Sequence, residues 1–460
     1  MSAEKGKIEY GVVYEGERIR GPDTYVELGG PKVEYKAELV RAKPEKEIKD
    51  GEVKIVGKDL KDLPEGGALP FGILIEVYGK EIEKDLEPVI ERRNHDFMNY
   101  IHGFMHLNQR YHIWCRASKE LVAKGASFAD VDSALIELYK MEMPFIEKIQ
   151  ITFITDEAKV KEFHAKAMEV YREREERVRG MKDEEVDDFY GCILCQSFAP
   201  NHLCIISPQR PSLCGALTWL DGRAAAKVEP DGPIFSVAKG KILDAERGEF
   251  EGVNEIVSER SNGKSGRFYM YSMNGFPHTS CGCFEAIAFY IPEVDGVGIV
   301  DRGFKDETIN GLKFSTMAGQ TGAGEQTEGF LGFGLQWMTS DKFLAGDGGW
   351  SKIVWMPESL KERFKDMIPK GLADKIATEK DVKDIGGLTA FLSQKGHPAV
   401  AGAKASGAFT VTQELKDKLI SHIQEKGGEI YPEEAARALQ VTEGKLMQVI
   451  EALRSDGILE

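Results

Sequence analysis

The most distinctive residues of this sequence are two cysteines separated by a single glycine. Cys281, Gly282 and Cys283 lie in the segment HTSCGCFE, and the chain has only seven cysteines among 460 residues. The two thiolates and the backbone nitrogens of Gly282 and Cys283 can close one six-membered and two five-membered chelate rings around one metal ion. Glycine suits a backbone forced flat in this way, because it accepts unusual φ and ψ at little steric cost. This planar N2S2 donor set, the Cys-Gly-Cys motif, favours Ni(II) or Cu(II) over zinc.

A second set of cysteines, the four-cysteine group, has spacings of two, eight and nine residues and consists of Cys192, Cys195, Cys204 and Cys214. Structural zinc sites more often contain two C-x2-C pairs, and only one pair is close here. One close pair with wider later spacings favours an iron–sulfur cube, whose irons need ligands from several directions. The alternatives for this group are a zinc site or no metal at all. For the Cys-Gly-Cys motif, the alternatives are a redox-active dithiol or chance spacing. The seventh cysteine, Cys115, is expected to be a buried apolar residue.

Composition restricts the classes of function. With 42% hydrophobic and 30% charged residues, the chain is typical of a soluble globular protein of about two or three domains. No stretch approaches the roughly 18 apolar residues of a membrane span, and the N-terminus has no signal-peptide pattern, so we expect a cytoplasmic protein. In a reducing cytosol, clustered cysteines favour metal binding over disulfides. The net charge of −16 argues against nucleic acid and anionic membranes as partners.

The first 185 residues alternate between strand and helix patterns and predict an N-terminal mixed α/β domain. Strand patterns rich in alternating apolar residues occur at 8–14, 24–28, 35–40, 71–78, 113–117 and 149–155. Helical spacing of apolar residues occurs at 81–103, 128–142 and 156–179.

Residues 186–405 differ in composition from the residues before them and predict a central α+β domain that carries the metal site. The charged run from Met181 to Asp188 marks the expected boundary, and cysteines, prolines and glycines become frequent after it. Nine glycines fall between Gly319 and Gly349, without a true G-x-G-x-x-G. We therefore expect close loop packing around a buried site rather than a nucleotide site.

Residues 406–460 predict a small helical module resembling a helix-turn-helix or winged helix. Helical patterns occur at 413–426, 432–439 and 442–456. From Phe409 to Glu460 there are ten acidic against six basic residues, which repels phosphate. Protein docking is therefore the expected role. The predicted fold class is α/β and α+β multidomain.

Two segments resemble the cluster-binding region of acetyl-CoA synthases, closest to the β subunits of archaeal acetyl-CoA decarbonylase/synthase complexes in the CO dehydrogenase/acetyl-CoA synthase family. They are CILCQSFAPNHLCIISPQRPSLCGA and PHTSCGCFEAIAFYIPEVDGVGIVDR. The resemblance continues through NYIHGFMHLNQR, RASKELVAKG, NGLKFSTMAGQ and DGGWSKIVWMPESLKERF, and it covers roughly residues 1 to 400.

The resemblance implies an acyltransferase that assembles or cleaves acetyl-CoA from a corrinoid-bound methyl group, CO and coenzyme A. It implies a [4Fe-4S] cluster on the four-cysteine group, with Cys195 bridging to a proximal nickel. The sulfurs of Cys281 and Cys283 then bridge that nickel to a distal, square-planar nickel, and zinc or copper can occupy the proximal position in inactive forms. Implied partners are a corrinoid iron–sulfur protein and a CO dehydrogenase subunit. The rival functions are an iron–sulfur electron-transfer subunit and a zinc-stabilised scaffold subunit.

Further residues near the cysteines have expected roles of their own. Phe198 matches a family position that walls the pocket over the proximal nickel, although by itself it reads as an ordinary core phenylalanine. His202 and His278 are expected to be hydrogen-bonding neighbours rather than ligands, because the six thiolates already complete the sites.

Three residues of the N-terminal domain could bind coenzyme A. Arg110, Trp114 and Arg116 lie in QRYHIWCRAS and combine positive charge with an aromatic face. Such a group can hold phosphates and stack on adenine. The alternative is a set of surface salt bridges.

Overall fold

The computed structural model describes residues 3–5, 8–11, 19–109, 112–403 and 411–427, with single positions and short runs between 430 and 459. Up to residue 180, these residues form a short hairpin, two four-stranded sheets and four helices. The strands are β1 Ala3–Lys5, β2 Ile8–Tyr10, β3 Thr24–Gly29, β4 Lys36–Ala42, β5 Val53–Val56, β6 Ala68–Leu69, β7 Phe71–Tyr78, β8 Phe104–Gln109, β9 His112–Ser118 and β10 Lys148–Ile154. The helices are α1 Glu87–Asn99, α2 Lys119–Ala123, α3 Phe128–Glu142 and α4 Glu157–Arg177.

Local sequence explains these elements. In β7, residues Phe71, Ile73, Ile75 and Val77 alternate along the strand and are fully buried, as period-2 patterning requires. The strand lies between β4 and β10 in the sheet β4-β7-β10-β5, and the other sheet has the order β6-β3-β9-β8. Helix α3 begins at Phe128 because Ser127 and Asp130 form a reciprocal capping box.

The later residues form smaller sheets connected by long loops. Their strands are β11 Asp188–Cys192, β12 Cys204–Ile206, β13 Ile234–Ala238, β14 Ile242–Asp244, β15 Glu249–Phe250, β16 Ala286–Ile291, β17 Gly296–Asp301, β18 Phe330–Phe333 and β19 Ile353–Trp355. The helices are α5 Trp219–Val228, α6 Glu251–Arg260, α7 Phe314–Thr321, α8 Glu358–Arg363, α9 Ile385–Lys395, α10 Pro398–Ala403 and α11 Gln413–Glu425. The sheet β12-β11-β13 carries Cys192 and Cys204, and the loop with Cys281 and Cys283 leads into β16 of the sheet β18-β16-β17-β19.

One apolar core continues from the N-terminal residues into the cysteine-bearing region. It includes Phe97 of α1 and Leu135 of α3, together with Leu217 and Phe284 from the loops around the cysteines. Helix α1 also contacts α5 directly. The N-terminal elements are therefore packed against the candidate site, and the predicted domain boundaries near 185 and 405 stay predictions.

The mixed α/β character predicted from the sequence is confirmed, with several sheets and helices. Helix α1 begins at Glu87 rather than near residue 81, because Pro88 occupies the first turn. Of the C-terminal module, α11 and an apolar cluster around Leu419, Leu446 and Leu453 are described. Much of the predicted second and third helices lies outside the described residues, so the winged-helix assignment stays a prediction.

Among the described residues, no helix is both long and apolar enough to cross a bilayer. The cytoplasmic location expected from the sequence stays a prediction.

Candidate metal centre

Three sulfur atoms from two separate loops converge at one point. The Sγ atoms of Cys195, Cys281 and Cys283 all lie within 4.8 Å of one another. Cys195 and Cys281 are buried and Cys283 is half-buried. Within the described ranges, no other set of three histidine, cysteine or carboxylate ligand atoms is this compact. The convergence joins one member of the four-cysteine group to both members of the Cys-Gly-Cys motif.

Strand pairing and turns position the four-cysteine group. Cys192 ends β11 and pairs directly with Cys204, the first residue of β12. Cys195 lies in the turn after β11, where its carbonyl accepts hydrogen bonds from the backbone of Phe198 and Ala199. Cys214 follows in a loop, with Ser212 Oγ 3.3 Å from its sulfur. All four cysteines are buried.

The spacing of the four sulfurs does not suit a single small ion. Zinc–sulfur bonds of about 2.3 Å place the sulfurs of a tetrahedral site roughly 3.8 Å apart. No three sulfurs of the four-cysteine group lie within 4.8 Å of one another among the described residues. A larger group whose irons each take one thiolate fits this wider arrangement better.

The electrostatics of the four-cysteine group also call for a cationic group. Burial, followed by the nearby Cys204 and Cys195, raises the pKa of the Cys192 thiol well above its usual range. Burial likewise raises the pKa of Cys204 to about 12. The Cys192 and Cys204 thiols are therefore poor anions on their own, and bound metal would supply the positive charge that their thiolates need.

A buried arginine beside the four-cysteine group has no acceptor in the described part of the protein. Arg210 is 1% exposed, and none of its three guanidinium nitrogens has a hydrogen-bond partner. Burial lowers its pKa to about 10, against the opposing influence of Cys204. Its guanidinium stacks over Trp337 at 4.8 Å. Four thiolate ligands would give a bound iron–sulfur cluster a net negative charge, and its sulfurs would accept hydrogen bonds from these donors.

The backbone of the Cys-Gly-Cys motif adopts a conformation that favours glycine at its centre. Gly282 has φ of +112°, and no atom lies within 4 Å of the position a β-carbon would occupy. Backbone conformation rather than crowding by neighbours therefore explains the glycine. The Cys283 N–H points at Cys281 Sγ, with a nitrogen–sulfur distance of 3.3 Å. The Cys283 nitrogen thus faces the Cys281 sulfur.

Arg92 of α1 is a site residue that the sequence analysis missed. It is 2% exposed, its Nη2 lies 3.6 Å from Cys195 Sγ, and its Nη1 lies 3.2 Å from Asp96. Burial acts to lower its pKa, but the charges of Asp96 and Cys195 hold that pKa well above the usual range. The contact crosses 103 residues of sequence. One signal in the sequence could have indicated a buried charge here. Helix α1 has so few apolar residues among its charged ones that some of the charged residues must lie on its buried face.

The two histidines are hydrogen-bonded inside the protein. His278 Nε2 accepts the backbone N–H of Ile205 at 3.1 Å, so its proton lies on Nδ1, which donates to the Thr279 carbonyl at 2.5 Å. Burial lowers the pKa of His278 well below its usual range, which keeps the ring neutral. His202 Nδ1 lies 3.0 Å from Thr279 Oγ1. Neither ring joins the compact ligand set.

The glycine-rich segment packs directly on the cysteine loops. A β-carbon on Gly324 would lie 2.9 Å from the backbone nitrogen of His202, and one on Gly334 would lie 2.5 Å from the Ser212 carbonyl. A β-carbon on Gly322 would lie 3.6 Å from the Cys281 carbonyl oxygen and from Gly282 Cα. Close loop packing around the site was the interpretation made from the sequence, and these distances agree with it.

Phe198 is 41% exposed, so it is not an ordinary core phenylalanine. It follows Cys195 by one turn, with its backbone N–H bonded to the Cys195 carbonyl at 3.3 Å. Its role as a pocket wall stays a prediction. Cys115 is fully buried in the N-terminal core, away from the ligand set, as expected.

The expected coenzyme A group is described only in part. Arg110 lies outside the described residues. Arg116 stacks over Trp114 at 4.3 Å and also pairs with Glu27 at 3.0 Å. Its Nη1 donates to the Ile19 carbonyl at 2.9 Å. Charge and an aromatic face therefore do lie together, but Arg116 already has internal partners, and coenzyme A binding stays a prediction.

Comparison with known families covers most of the chain. Residues 7–160 match the family model of the CO dehydrogenase/acetyl-CoA synthase complex beta subunit. Residues 171–404 match the model of the C-terminal part of the ACS/CODH beta subunit. Residues 405–460 lie outside both matches.

Individual relatives agree with the family matches. The chain is 54% identical over 393 residues to acetyl-CoA decarbonylase/synthase complex subunit beta 2 of Methanosarcina thermophila, covering 85% of this chain and 83% of that protein. It is 53% identical to the corresponding subunit beta of Methanopyrus kandleri, covering 84% of this chain and 83% of that protein. Among solved structures, the C-terminal domain of an acetyl-coenzyme A synthase alpha subunit is 40% identical. That match covers 26% of this chain and 96% of that domain, with a TM-score of 0.25.

Proposed function

The chain belongs to the family of beta subunits of the CO dehydrogenase/acetyl-CoA synthase complex, and from this premise we propose that it assembles or cleaves acetyl-CoA at a nickel–nickel–[4Fe-4S] centre. The observation that carries the proposal is the convergence of the Cys195, Cys281 and Cys283 sulfurs within 4.8 Å. One sulfur of a four-cysteine group meets two sulfurs of a planar chelating motif. Neither an electron-transfer cluster nor a structural zinc site requires these two groups of sulfurs to lie close together.

The proposed ligands follow from the donor sets. The four-cysteine group would hold the [4Fe-4S] cluster, and Cys195, Cys281 and Cys283 would share the proximal nickel. The distal nickel would take the sulfurs of Cys281 and Cys283 with the backbone nitrogens of Gly282 and Cys283. When bound, the metals would supply the chemistry that joins a methyl group, CO and the thiol of coenzyme A.

The chain's own residues control access to the centre. Burial of Cys195 and Cys281 excludes water from one side, whereas half-buried Cys283 and exposed Phe198 lie toward solvent. We assign Phe198 to the rim of this opening, where its ring would narrow the approach to the sulfurs. Arg92 and Arg302 place positive charge against the sulfur-rich set, which offsets part of the charge of the thiolates.

The proposed partners and substrates are those of the family. A methyl-carrying corrinoid iron–sulfur protein, a CO dehydrogenase subunit and coenzyme A would each need access to the exposed side of the centre. Trp114 and Arg116, with Arg110, are the proposed contacts for coenzyme A. The acidic residues 406–460 are the proposed docking module for partner subunits.

Metal analysis with matched cysteine variants tests the proposal. The full chain, purified anaerobically after expression with nickel and iron, should contain about four iron and about two nickel atoms. Cys195→Ala should lose nickel and exchange between coenzyme A and acetyl-CoA, whereas Cys115→Ala should keep both, because Cys115 is also buried but lies outside the ligand set.

The contrary outcomes are distinct. Iron without nickel in the wild type would support an electron-transfer subunit, and zinc alone would support a scaffold. Wild-type exchange activity in a folded Cys195→Ala protein would disprove the bridged centre.

A further inference from the structure

An arginine outside the ligand set holds the backbone of the Cys-Gly-Cys motif. Arg302 Nη2 donates to the carbonyl of Gly282 at 2.8 Å and to the carbonyl of Phe284 at 3.0 Å. Its own backbone N–H donates to the Glu285 carbonyl at 3.0 Å. Its guanidinium also stacks over the ring of Phe314 at 4.9 Å. These contacts fix the guanidinium against one particular peptide group.

That peptide group is one of the two that would coordinate metal. The carbonyl of Gly282 and the nitrogen of Cys283 belong to the same planar, resonance-coupled unit. When the nitrogen coordinates as an amidate, the unit carries a negative charge that resonance shares with the oxygen. A hydrogen bond from a guanidinium to that oxygen is then charge-assisted at both ends, and such bonds are roughly twice as strong as neutral ones.

We propose that Arg302 is a positioning residue that stabilises the metal-bound form of the Cys-Gly-Cys motif by pairing with the carbonyl oxygen of its coordinating peptide. The inference rests on the proposed function, because it takes planar nickel coordination by this motif as given. Two thiolates and two amidates leave a charge of −2 around a divalent ion, so a fixed cation on the rim of the plane offsets part of it. Arg92 contacts the centre at the Cys195 sulfur rather than at this peptide.

The geometry of the motif supports this role. The Cys283 N–H already points toward Cys281 Sγ, so the opposite end of the same peptide, the Gly282 oxygen, points away from the donors and toward Arg302. Gly282 has a φ of +112° in this arrangement. Arg302 therefore acts through the backbone and not as a ligand.

The test measures nickel binding directly. The full chain is expressed anaerobically with iron but without nickel, and NiCl2 is then titrated while the absorption of planar nickel is followed. Arg302→Met should weaken nickel binding by about tenfold to about a hundredfold, the range expected for loss of a charged hydrogen bond. Arg302→Lys should recover most of the affinity, because it keeps the charge and one donor. Iron content measures whether the fold is intact.

A nearby lysine provides a matched control. Lys305 lies on the same turn, is exposed, and donates to the Arg302 carbonyl at 2.7 Å without touching the motif. Lys305→Gln removes the same charge and should change nickel affinity by less than about twofold.

The outcomes separate this inference from the proposed function. Wild-type nickel affinity in Arg302→Met, or an equal loss in Lys305→Gln, would overturn the inference and leave the proposed function standing. Loss of iron together with nickel from both Arg302 variants would also overturn it, since that pattern indicates a role in folding. If the wild type itself binds no planar nickel, the proposed function fails, and the inference fails with it.

Discussion

Removing Arg92 tests how the N-terminal helix α1 is coupled to the candidate metal centre. Arg92 and Asp96 form a buried ion pair at 3.2 Å, with side chains 2% and 4% exposed. Breaking a buried pair by deleting one partner costs about 3 to 5 kcal/mol, because the other charge is left unpaired. Arg93 lies 3.7 Å from Asp96, so it still offsets part of the Asp96 charge when Arg92 is removed. We therefore expect Arg92→Met to cost about 3 kcal/mol.

The assay is thermal unfolding of the full chain, with iron and nickel content as a second readout. For domains of this size, about 3 kcal/mol corresponds to a fall in Tm of roughly 6 to 12 °C. Removing both charges, in Arg92→Met with Asp96→Leu, should bring the cost close to zero, because well-packed apolar residues can replace a buried ion pair. Both variants lose the contact with Cys195, so both should hold nickel less tightly.

An exposed ion pair provides the control. Arg179→Met removes an arginine from an exposed pair in which both side chains are 57% exposed, and it should change Tm by no more than about 2 °C. A double variant as unstable as the single one would refute the buried-pair argument. A stable double variant with wild-type nickel content would show that the Arg92 contact with Cys195 has no role in metal binding.

Three further predictions concern the N-terminal domain, the motif and the C-terminal module. Burial raises the pKa of Glu91 from 4.5 to about 7, so its protonation stabilises the folded state fully below about pH 4.5, and this contribution is lost as the pH rises through about 7. The contribution is about 3 kcal/mol. The Tm of the wild type should therefore fall as the pH rises from about 4.5 to about 7, and the Tm of Glu91→Gln should fall less over the same range. Gly282→Ala should destabilise the motif by about 1 to 3 kcal/mol, because alanine is strained at a φ of +112°. Nickel content should fall while iron content is kept, and an unchanged nickel content would contradict this prediction. Deleting residues 406–460 should leave metal content and exchange activity intact while weakening assembly with partner subunits, as co-purification would measure.

The sequence predicts the regular elements wherever local signals agree. The bounds of α3 follow from its capping box and its apolar spacing, and β7 from strict alternation. Strands β5 and β8 are missed because VKIV and FMHLNQ are short and carry polar residues, so their pairing is decided by neighbouring strands.

The sequence predicts the ligands better than their surroundings. Cysteine spacing alone identifies the donors, because chelation is a local property of the chain. The arginines around them are not local: Arg92 comes from a helix 103 residues before Cys195. In α1 the charged residues Glu87, Glu91, Arg92 and Asp96 are buried beside apolar ones. Only tertiary packing shows that Arg92 pairs with Asp96 while Glu87 and Glu91 pair with Arg174 of α4. Arg302 could have been suspected, since a donor set of charge −2 needs a cation nearby.

The glycines that abut the cysteine loops have a consequence for how mutations would be interpreted. Gly324 and Gly334 leave no room for even one methyl group, since the nearest backbone atoms would be 2.9 and 2.5 Å away. Any substitution there would push apart the loops that bring the cysteines together. In a saturation mutagenesis screen scored by activity, these positions would rank with the metal ligands although they have no side chain and take part in no chemistry. Intolerance to substitution in this protein would therefore outline the packing around the centre as well as the centre itself.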